Sequence, residues 1–228
     1  MFIKLKAALL ATLALCMVSG AAASTASAAG PYWHVGGSRL EKGIRQVKLQ
    51  VKGFAVLKVP AISLTVTCKN AISEGATIEG NGLNQGQDKG RLAFTQCITS
   101  IVGCNVAEPV VTNPIQSFLA NAATQTHIVD VFQEAQGPLA VVTLVGAPCG
   151  AFAGPNEVTG SLAAEIVPTG VEVQELLLAF PEPAITKIKH EGIERTVGLK
   201  FSALTATFSA AFGARLATFP EKFGAFET

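Results

Sequence analysis

The cysteines form the clearest chemical pattern in this 228-residue chain. Cys16 lies within an apolar leader, and four cysteines follow it: Cys68, Cys97, Cys104 and Cys149. An even number of cysteines in an exported chain predicts two disulfides, for which three pairings exist. The chain has no C-x-x-C pair, and its histidines, His34, His127 and His190, are far from the cysteines in sequence. This pattern favours disulfides over a metal site, and we expect no metal and no cofactor.

Acid–base chemistry finds little support in the sequence. The only aspartates are Asp88 and Asp130. His127 and Asp130 are three residues apart, so a strand would point them to opposite faces, which argues against a His–Asp relay. Motifs such as G-x-S-x-G, H-E-x-x-H or a phosphate-binding glycine loop are absent from the sequence. We therefore predict no catalytic residue.

Three glutamates keep a hydrolase open as a remote alternative. Glycoside cleavage needs a pair of carboxyl groups, and Glu165, Glu172 and Glu175 are the residues that could supply it. They lie near expected turns, which is more typical of solvated surface side chains.

Residues 1–28 have the pattern of a cleaved signal peptide. Lys4 and Lys6 precede an apolar run, and small residues follow, with cleavage expected after Ala23 or Ala28. Removal of the leader reduces the 17 basic residues to 15, against 16 acidic ones. A nearly neutral chain without basic clusters excludes nucleic acid as an expected partner. We expect a secreted, extracellular or envelope protein with no membrane span in the mature chain. Its partner is unknown from the sequence, with the cell envelope and a glycan as the two alternatives.

Alternating apolar and polar residues predict the fold class. The pattern recurs in "VKLQVKG", "ISLTVTC" and "EVTGSLAAEIV", where it is typical of half-buried strands. Many short strands with regular turn signals indicate an all-β domain, an antiparallel β-sandwich or a barrel. We expect one β-rich domain over residues 29–228, or two subdomains with a boundary near 150–157.

Some segments are ambiguous. Residues 113–124 could form one or two helical turns, residues 171–180 fit either period, and the Phe-rich tail favours strands over a helix. The Gly-, Asn- and Gln-rich segment 80–90 is expected to be a mobile loop.

The stretch "PYWHVGGSRLEKG" predicts a β-hairpin at residues 31–43. Gly36 and Gly37 suit a turn that needs positive φ at both central positions. Alternation then places Trp33 in the core and exposes Tyr32 and His34, a candidate surface for binding a glycan or small molecule.

The cysteine neighbourhoods resemble a group of uncharacterised exported proteins from actinobacteria. The segments that carry this resemblance include "YWHVGGSRLEKG", "LTVTCKNAISEGATIEG", "RLAFTQC", "GCNVAEPVVTNPI", "APCG" and "EVTGSLAAEIVP". The resemblance covers most of the mature chain except the "HEGIERTVGLK" region and the tail. It implies export, a β-rich fold and disulfides; the group has no established activity, so the resemblance assigns no catalytic residue.

Disulfide connectivity stays open among the three pairings. Cys97 and Cys104 bracket a six-residue loop, and Cys68 and Cys149 each end a predicted strand. These positions favour pairing Cys97 with Cys104 and Cys68 with Cys149.

The sequence predicts a non-enzymatic structural or interaction protein outside the cytoplasm. A carbohydrate- or small-molecule-binding module is the first alternative, and a hydrolase that uses glutamates is the second.

Overall fold

The protein is an all-β structure, as the alternating pattern predicts. A computed structural model describes residues 30–81, 86–124 and 127–227. The predicted signal peptide at 1–28 lies outside the described residues. Helical structure within the described ranges consists of two 3-10 segments, Pro60–Ile62 and Ala147–Phe152.

Eighteen strands form in the described part of the chain. In order, they are β1 (Tyr32–Val35), β2 (Ser38–Arg39), β3 (Lys42–Val51), β4 (Ala55–Val59), β5 (Leu64–Asn81), β6 (Gln87–Thr99), β7 (Asn105–Val106), β8 (Val110–Val111), β9 (Ile115–Ala122), β10 (Ile128–Glu134), β11 (Ala140–Val145), β12 (Gly154–Val167), β13 (Leu176–Phe180), β14 (Lys187–His190), β15 (Ile193–Thr196), β16 (Leu199–Phe201), β17 (Leu204–Leu216) and β18 (Phe223–Phe226).

Most of these strands close into one antiparallel barrel. Four of its walls are the long strands β5, β6, β12 and β17. Each of the other four walls consists of two or three shorter strands, which pair one after another with the same two neighbouring walls. These composite walls are β3 and β4; β7, β8 and β9; β10 and β11; and β13 and β16. Each wall pairs with the next along the chain, and β17 returns to β3 and β4. The result is an eight-stranded up-and-down barrel, an architecture whose interior is filled by side chains or holds one small ligand.

The period of two decides which side chains enter the barrel. Val47 and Val51 on β3 and Leu64 and Val66 on β5 are buried, as the alternation predicts. Lys48 and the other polar residues between them face outward or are exposed. Burial of one face of every strand is the main stabilising contribution to such a fold.

A small three-stranded sheet covers one end of the barrel. It consists of β18, β1 and β2 in that order, with Trp33 opposite Ala225. Trp33 packs against Phe223 with ring centroids 5.9 Å apart, and both side chains are buried. The N- and C-terminal strands of the described chain therefore close the barrel together.

The predicted pair of disulfides is present, but the favoured connectivity is wrong. The structure joins Cys68 to Cys97 and Cys104 to Cys149. Cys68 and Cys97 are direct cross-strand partners on β5 and β6. Sequence alone did not reveal this register, because the hairpin between the two strands sets it.

The second disulfide ties two connections at the other end of the barrel. Cys104 ends a turn in which its amide donates to the carbonyl of Ile101, and Cys149 lies in the 3-10 segment Ala147–Phe152. The two connections are in close contact, since a Cβ atom at Gly146 would lie 2.3 Å from the carbonyl oxygen of Gly103.

Two further expectations are corrected. Much of the expected mobile loop 80–90 is strand, because β5 extends to Asn81 and β6 begins at Gln87, while residues 82–85 lie outside the described ranges. The helical turns considered at 113–124 are absent, and Ile115–Ala122 is a barrel strand. Residues 176–180 and the Phe-rich tail are also strands.

Candidate functional site

The opening hairpin forms as predicted, but it does not expose the predicted binding surface. Gly36 and Gly37 have φ of 62° and 84°, and Trp33 is buried in the core. The prediction that Tyr32 is exposed is wrong, since only 6% of the residue is accessible. The guanidinium of Arg39 lies 3.3 Å from the centre of the Tyr32 ring. Packing by the neighbouring strand therefore covers a face that alternation alone would leave to solvent.

His34 is only partly exposed. Its ring stacks on Phe226 with centroids 4.2 Å apart. Burial lowers the pKa of His34, with opposing contributions from Glu172, which raises it, and Arg39, which lowers it. The residue is packed into the covering sheet, and its ring is not free to grip a ligand.

The three glutamates considered for hydrolysis have separate partners. Glu165 contacts His127, Glu172 accepts the backbone amide of Gly37 at 2.8 Å, and Glu175 pairs with Lys52 at 2.6 Å. As expected, His127 and Asp130 do not form a relay: His127 is at the surface and Asp130 is buried.

The structure instead brings together the only two aspartates of the chain. Asp88 lies on β6 and Asp130 on β10, on either side of β9. Ser117 on β9 pairs with Asp88 in register, and its hydroxyl donates to an Asp88 carboxyl oxygen at 3.0 Å. The two carboxyl groups are close enough for each to affect the pKa of the other. We call Asp88, Asp130, Ser117 and Trp33 the aspartate cluster.

Asp88, Ser117 and Asp130 are placed by the inward phase of their barrel strands, and Trp33 reaches them from the covering sheet. Ile128, Asp130 and Phe132 alternate with Val129 and Val131, which are buried on the outer side beneath β14. Asp130 thus occupies a position that the alternation reserves for an apolar residue. This phase is the sequence signal that could have found the site: an aspartate in register with inward-facing apolar side chains.

Several polar atoms of the aspartate cluster lack hydrogen-bond partners. Among the described residues, one oxygen of each carboxyl and the indole nitrogen of Trp33 are buried without a partner of normal geometry. Asp130 is 1% exposed. Asp88 is partly exposed as a whole residue, but its unpartnered oxygen is buried. The cluster borders a cavity of about 40 Å³. Unpartnered buried polar groups are costly, so such a group in a folded protein calls for a bound partner.

Burial raises the pKa of both aspartates. Desolvation is the largest cause for Asp88, whose pKa rises to about 6, and nearby donors, including Ser117 and Trp33, offset part of the rise. Desolvation and the charge of Asp88 raise the pKa of Asp130 well above its usual value. Two carboxyls in one apolar site cannot both ionise easily, so the pair holds a proton to a higher pH than an exposed carboxyl does.

A second, larger cavity adjoins the aspartate cluster. Its volume is about 100 Å³, and Leu92, Ile115 and Phe132 line both cavities. Of the described residues around it, Thr112 alone is polar, and its hydroxyl accepts the amide of Leu92 at 2.9 Å. The remaining residues that line only this cavity are apolar: Ala55, Leu57, Val66, Cys68, Phe94, Val110, Leu139, Ala140, Val142, Val158, Leu162, Phe180, Leu199 and Phe208.

The position of Trp33 over the aspartate cluster depends on Gly86. A Cβ atom at Gly86 would lie 2.6 Å from Trp33 Cδ1 and 2.7 Å from Leu119 Cδ1. We expect Gly86→Ala to destabilise the protein by about 1–3 kcal/mol and to shift the emission of Trp33, because the added methyl group overpacks the site. Denaturant unfolding followed by fluorescence measures both effects, since Trp33 is the only tryptophan.

Gly198→Ala is the matched control for this prediction. A Cβ atom there meets nothing within 4 Å, and we expect a change in stability within about 0.5 kcal/mol. Equal stability and equal emission of the two variants would show that Gly86 does not set the position of Trp33.

The aspartate cluster lacks the side chains of a typical metal centre. Within the ranges that the structure describes, His, Cys, Asp and Glu side chains form no group of three that could hold a metal ion.

In the same ranges, no helix has the length and hydrophobicity needed to cross a bilayer. Searches of protein-family models, curated proteins and solved structures gave no match to this chain.

Proposed function

We propose that this chain is an exported, non-enzymatic binding protein that takes a small, largely apolar molecule into its barrel. The observation that carries this proposal is the cavity of about 100 Å³, which is bordered almost entirely by apolar side chains. Ligand sites in closed eight-stranded barrels lie in the same place, inside the ring of strands. The two disulfides and the leader pattern at residues 1–28 support action outside the cytoplasm.

The chemistry of the cavity favours an apolar molecule over a saccharide. Every hydroxyl of a buried sugar needs a hydrogen-bond partner, and Thr112 already accepts the Leu92 amide. The size of the cavity sets the scale of the ligand, since an engineered apolar cavity of about 150 Å³ binds benzene or xenon. Phe94 and Phe208, which line the cavity, meet edge to face with ring centroids 6.2 Å apart and are partly exposed.

A cavity-filling variant tests the proposal. We expect xenon or benzene to raise the melting temperature of the wild-type protein, because a ligand that binds only the folded state stabilises it. Ala140→Leu should remove this rise, since Ala140 lines the cavity and a longer side chain occupies the same space. The measurement is thermal unfolding with and without each probe.

Val141→Leu is the control, because Val141 is the neighbouring residue on β11 and is 40% exposed on the outer face. This variant should keep the full response to the probes. A wild-type melting temperature that neither probe changes would contradict the proposal and identify the cavity as a packing void.

An interaction protein, without a small ligand, is the second candidate function. The observation in its favour is an apolar outer surface: Ile98 is 62% exposed and Val145 is 52% exposed. Both pair with Asn105 in register and so flank it on the barrel wall. Exposed apolar groups that lie together are typical of protein-binding surfaces.

A further inference from the structure

The aspartate cluster is an acidic chamber without a compensating cation. The charged residues that line its cavity, apart from the two aspartates, are Lys89 and Arg91. Both alternate with Asp88 along β6 and are exposed, and Lys89 pairs with Glu79 at 2.9 Å. Within the described chain, no ion pair joins either aspartate to a cation.

The unpartnered atoms of the chamber are mainly acceptors. Among the described residues, one oxygen of Asp88 and one of Asp130 are buried without a donor of normal geometry, and the Trp33 indole N–H is the one unpartnered donor of the cluster. The Ser117 hydroxyl oxygen lies beside the Asp88 carboxyl. A positively charged group with several N–H donors would supply both the missing hydrogen bonds and the missing charge. A primary ammonium has three donors, which matches these three oxygens.

A divalent cation matches the chamber less well than an ammonium. Calcium takes 6–8 oxygen ligands and magnesium requires octahedral coordination, whereas the described residues bring no third acidic, histidine or cysteine side chain to the pair. The cavity of about 40 Å³ is large enough for an ammonium head but not for a bulky cation.

We propose that the aspartate cluster binds the ammonium group of a small primary amine whose apolar body lies in the adjoining cavity. This inference rests on the proposed function, because the apolar cavity must accept the body of the ligand. The shared walls at Leu92, Ile115 and Phe132 place the two parts of such a molecule next to each other. The ligand class is therefore a short alkyl or aryl amine.

Matched probes separate this inference from the proposed function. Benzylamine, benzyl alcohol and toluene share one ring and differ in the head group, and each is titrated against the wild-type protein at pH 7 by thermal unfolding. We expect benzylamine to bind about 10- to 100-fold more tightly than toluene, in line with the strength of hydrogen bonds to charged groups. The fluorescence emission of Trp33 should change when benzylamine binds and not when toluene binds, because the indole lies beside the aspartates that would hold the ammonium group.

Two isosteric variants locate the head group. Asp130→Asn and Asp88→Asn should each remove the advantage of benzylamine over toluene, while Ala140→Leu should weaken the binding of all three probes.

If toluene and benzylamine bind equally and neither aspartate variant changes this, the inference is wrong and the proposed function stands. If benzylamine binds, toluene does not, and binding of benzylamine needs the aspartates, the amine site is supported and an apolar molecule without an ammonium group is not a ligand. If none of the three probes binds, the inference is wrong, and the response to xenon and benzene decides the proposed function separately.

The Trp33 signal keeps the test decisive if an aspartate variant fails to fold. A benzylamine-dependent change in wild-type emission that toluene and benzyl alcohol do not produce supports the inference. An equal response to all three probes, or none, overturns it.

Discussion

Replacing both Cys104 and Cys149 by serine is expected to lower the free energy of unfolding by about 4 kcal/mol. The two residues are 45 positions apart, and in the chain-entropy model a link that closes a loop of this length restricts the unfolded chain by roughly that amount. In the folded protein, this bond joins the turn before β7 to the 3-10 segment before β12. Denaturant unfolding of the double variant and the wild type under non-reducing conditions measures the loss.

A single variant tests the connectivity behind this prediction. Cys97→Ser should leave Cys68 with a free thiol and the Cys104–Cys149 bond intact, because Cys68 and Cys97 are cross-strand partners. Non-reducing peptide mapping distinguishes the two free-thiol positions. A free thiol at Cys104 in this variant would show that the pairing in solution is Cys97 with Cys104.

Between pH 4 and pH 7, the wild-type protein is expected to lose about 3 kcal/mol of stability relative to an Asp88→Asn/Asp130→Asn variant. The folded protein raises the pKa of Asp88 from 3.8 to about 6, so it holds a proton that the unfolded chain releases near pH 4. The stabilising contribution of Asp88 is therefore fully present below about pH 4 and is lost as the pH rises through about 6. Asp130, whose pKa is also raised, extends the loss in the same direction. Urea unfolding at pH 4, 5, 6 and 7 gives the two curves.

The difference in stability between the wild type and the asparagine variant excludes the contributions of the other titratable groups. Burial lowers the pKa of His34 and of His190, which makes the protein more stable as the pH rises through their range. These histidines are present in both proteins, so their effect cancels in the difference. Glu182→Gln alters an exposed carboxylate that pairs with Lys58, and its curve should follow that of the wild type. Parallel curves for the wild type and the asparagine variant would contradict a proton-retaining aspartate pair.

The two proposals depend on different parts of one interior. The apolar cavity needs only that the barrel is incompletely filled, whereas the amine site needs the specific meeting of Asp88, Asp130 and Ser117. Stability at neutral pH links them: an ammonium that neutralises the pair would offset the cost of burying its charge. In the proposed site, the aspartate cluster lowers the stability of the ligand-free protein at neutral pH and supplies the oxygens that bind the ammonium.

Local pattern was sufficient for several features. The alternation in "VKLQVKG" predicts strand β3 and its inward face, and Gly36 and Gly37 predict the turn between β1 and β2. The four cysteines that follow residue 28 predict two disulfides, and two are present. Each of these follows from steric preferences or counts that act within a few residues, so no knowledge of the partner strand is needed.

Three expectations failed where a distant partner decides the outcome. Tyr32 is on the face that alternation exposes, yet Arg39 covers it. Asp88 seemed part of a mobile loop, yet β6 begins at Gln87 and carries the Asp88 carboxyl inward. Cys97 seemed close to Cys104 because they are near in sequence, yet its partner is Cys68 on the adjoining strand.

The sequence by itself determined that this chain forms strands, which faces of most of them are apolar and that its cysteines can pair. Only the tertiary structure decided the register of those strands, the closure of the barrel and the meeting of Asp88 with Asp130. The physical reason is that side-chain alternation is a local property of an extended backbone, whereas register and closure depend on connections and contacts between residues far apart in the chain. The candidate site belongs to the second kind, because its two carboxyl groups come from residues 42 positions apart, on strands that lie close together only because β9 pairs with both of them.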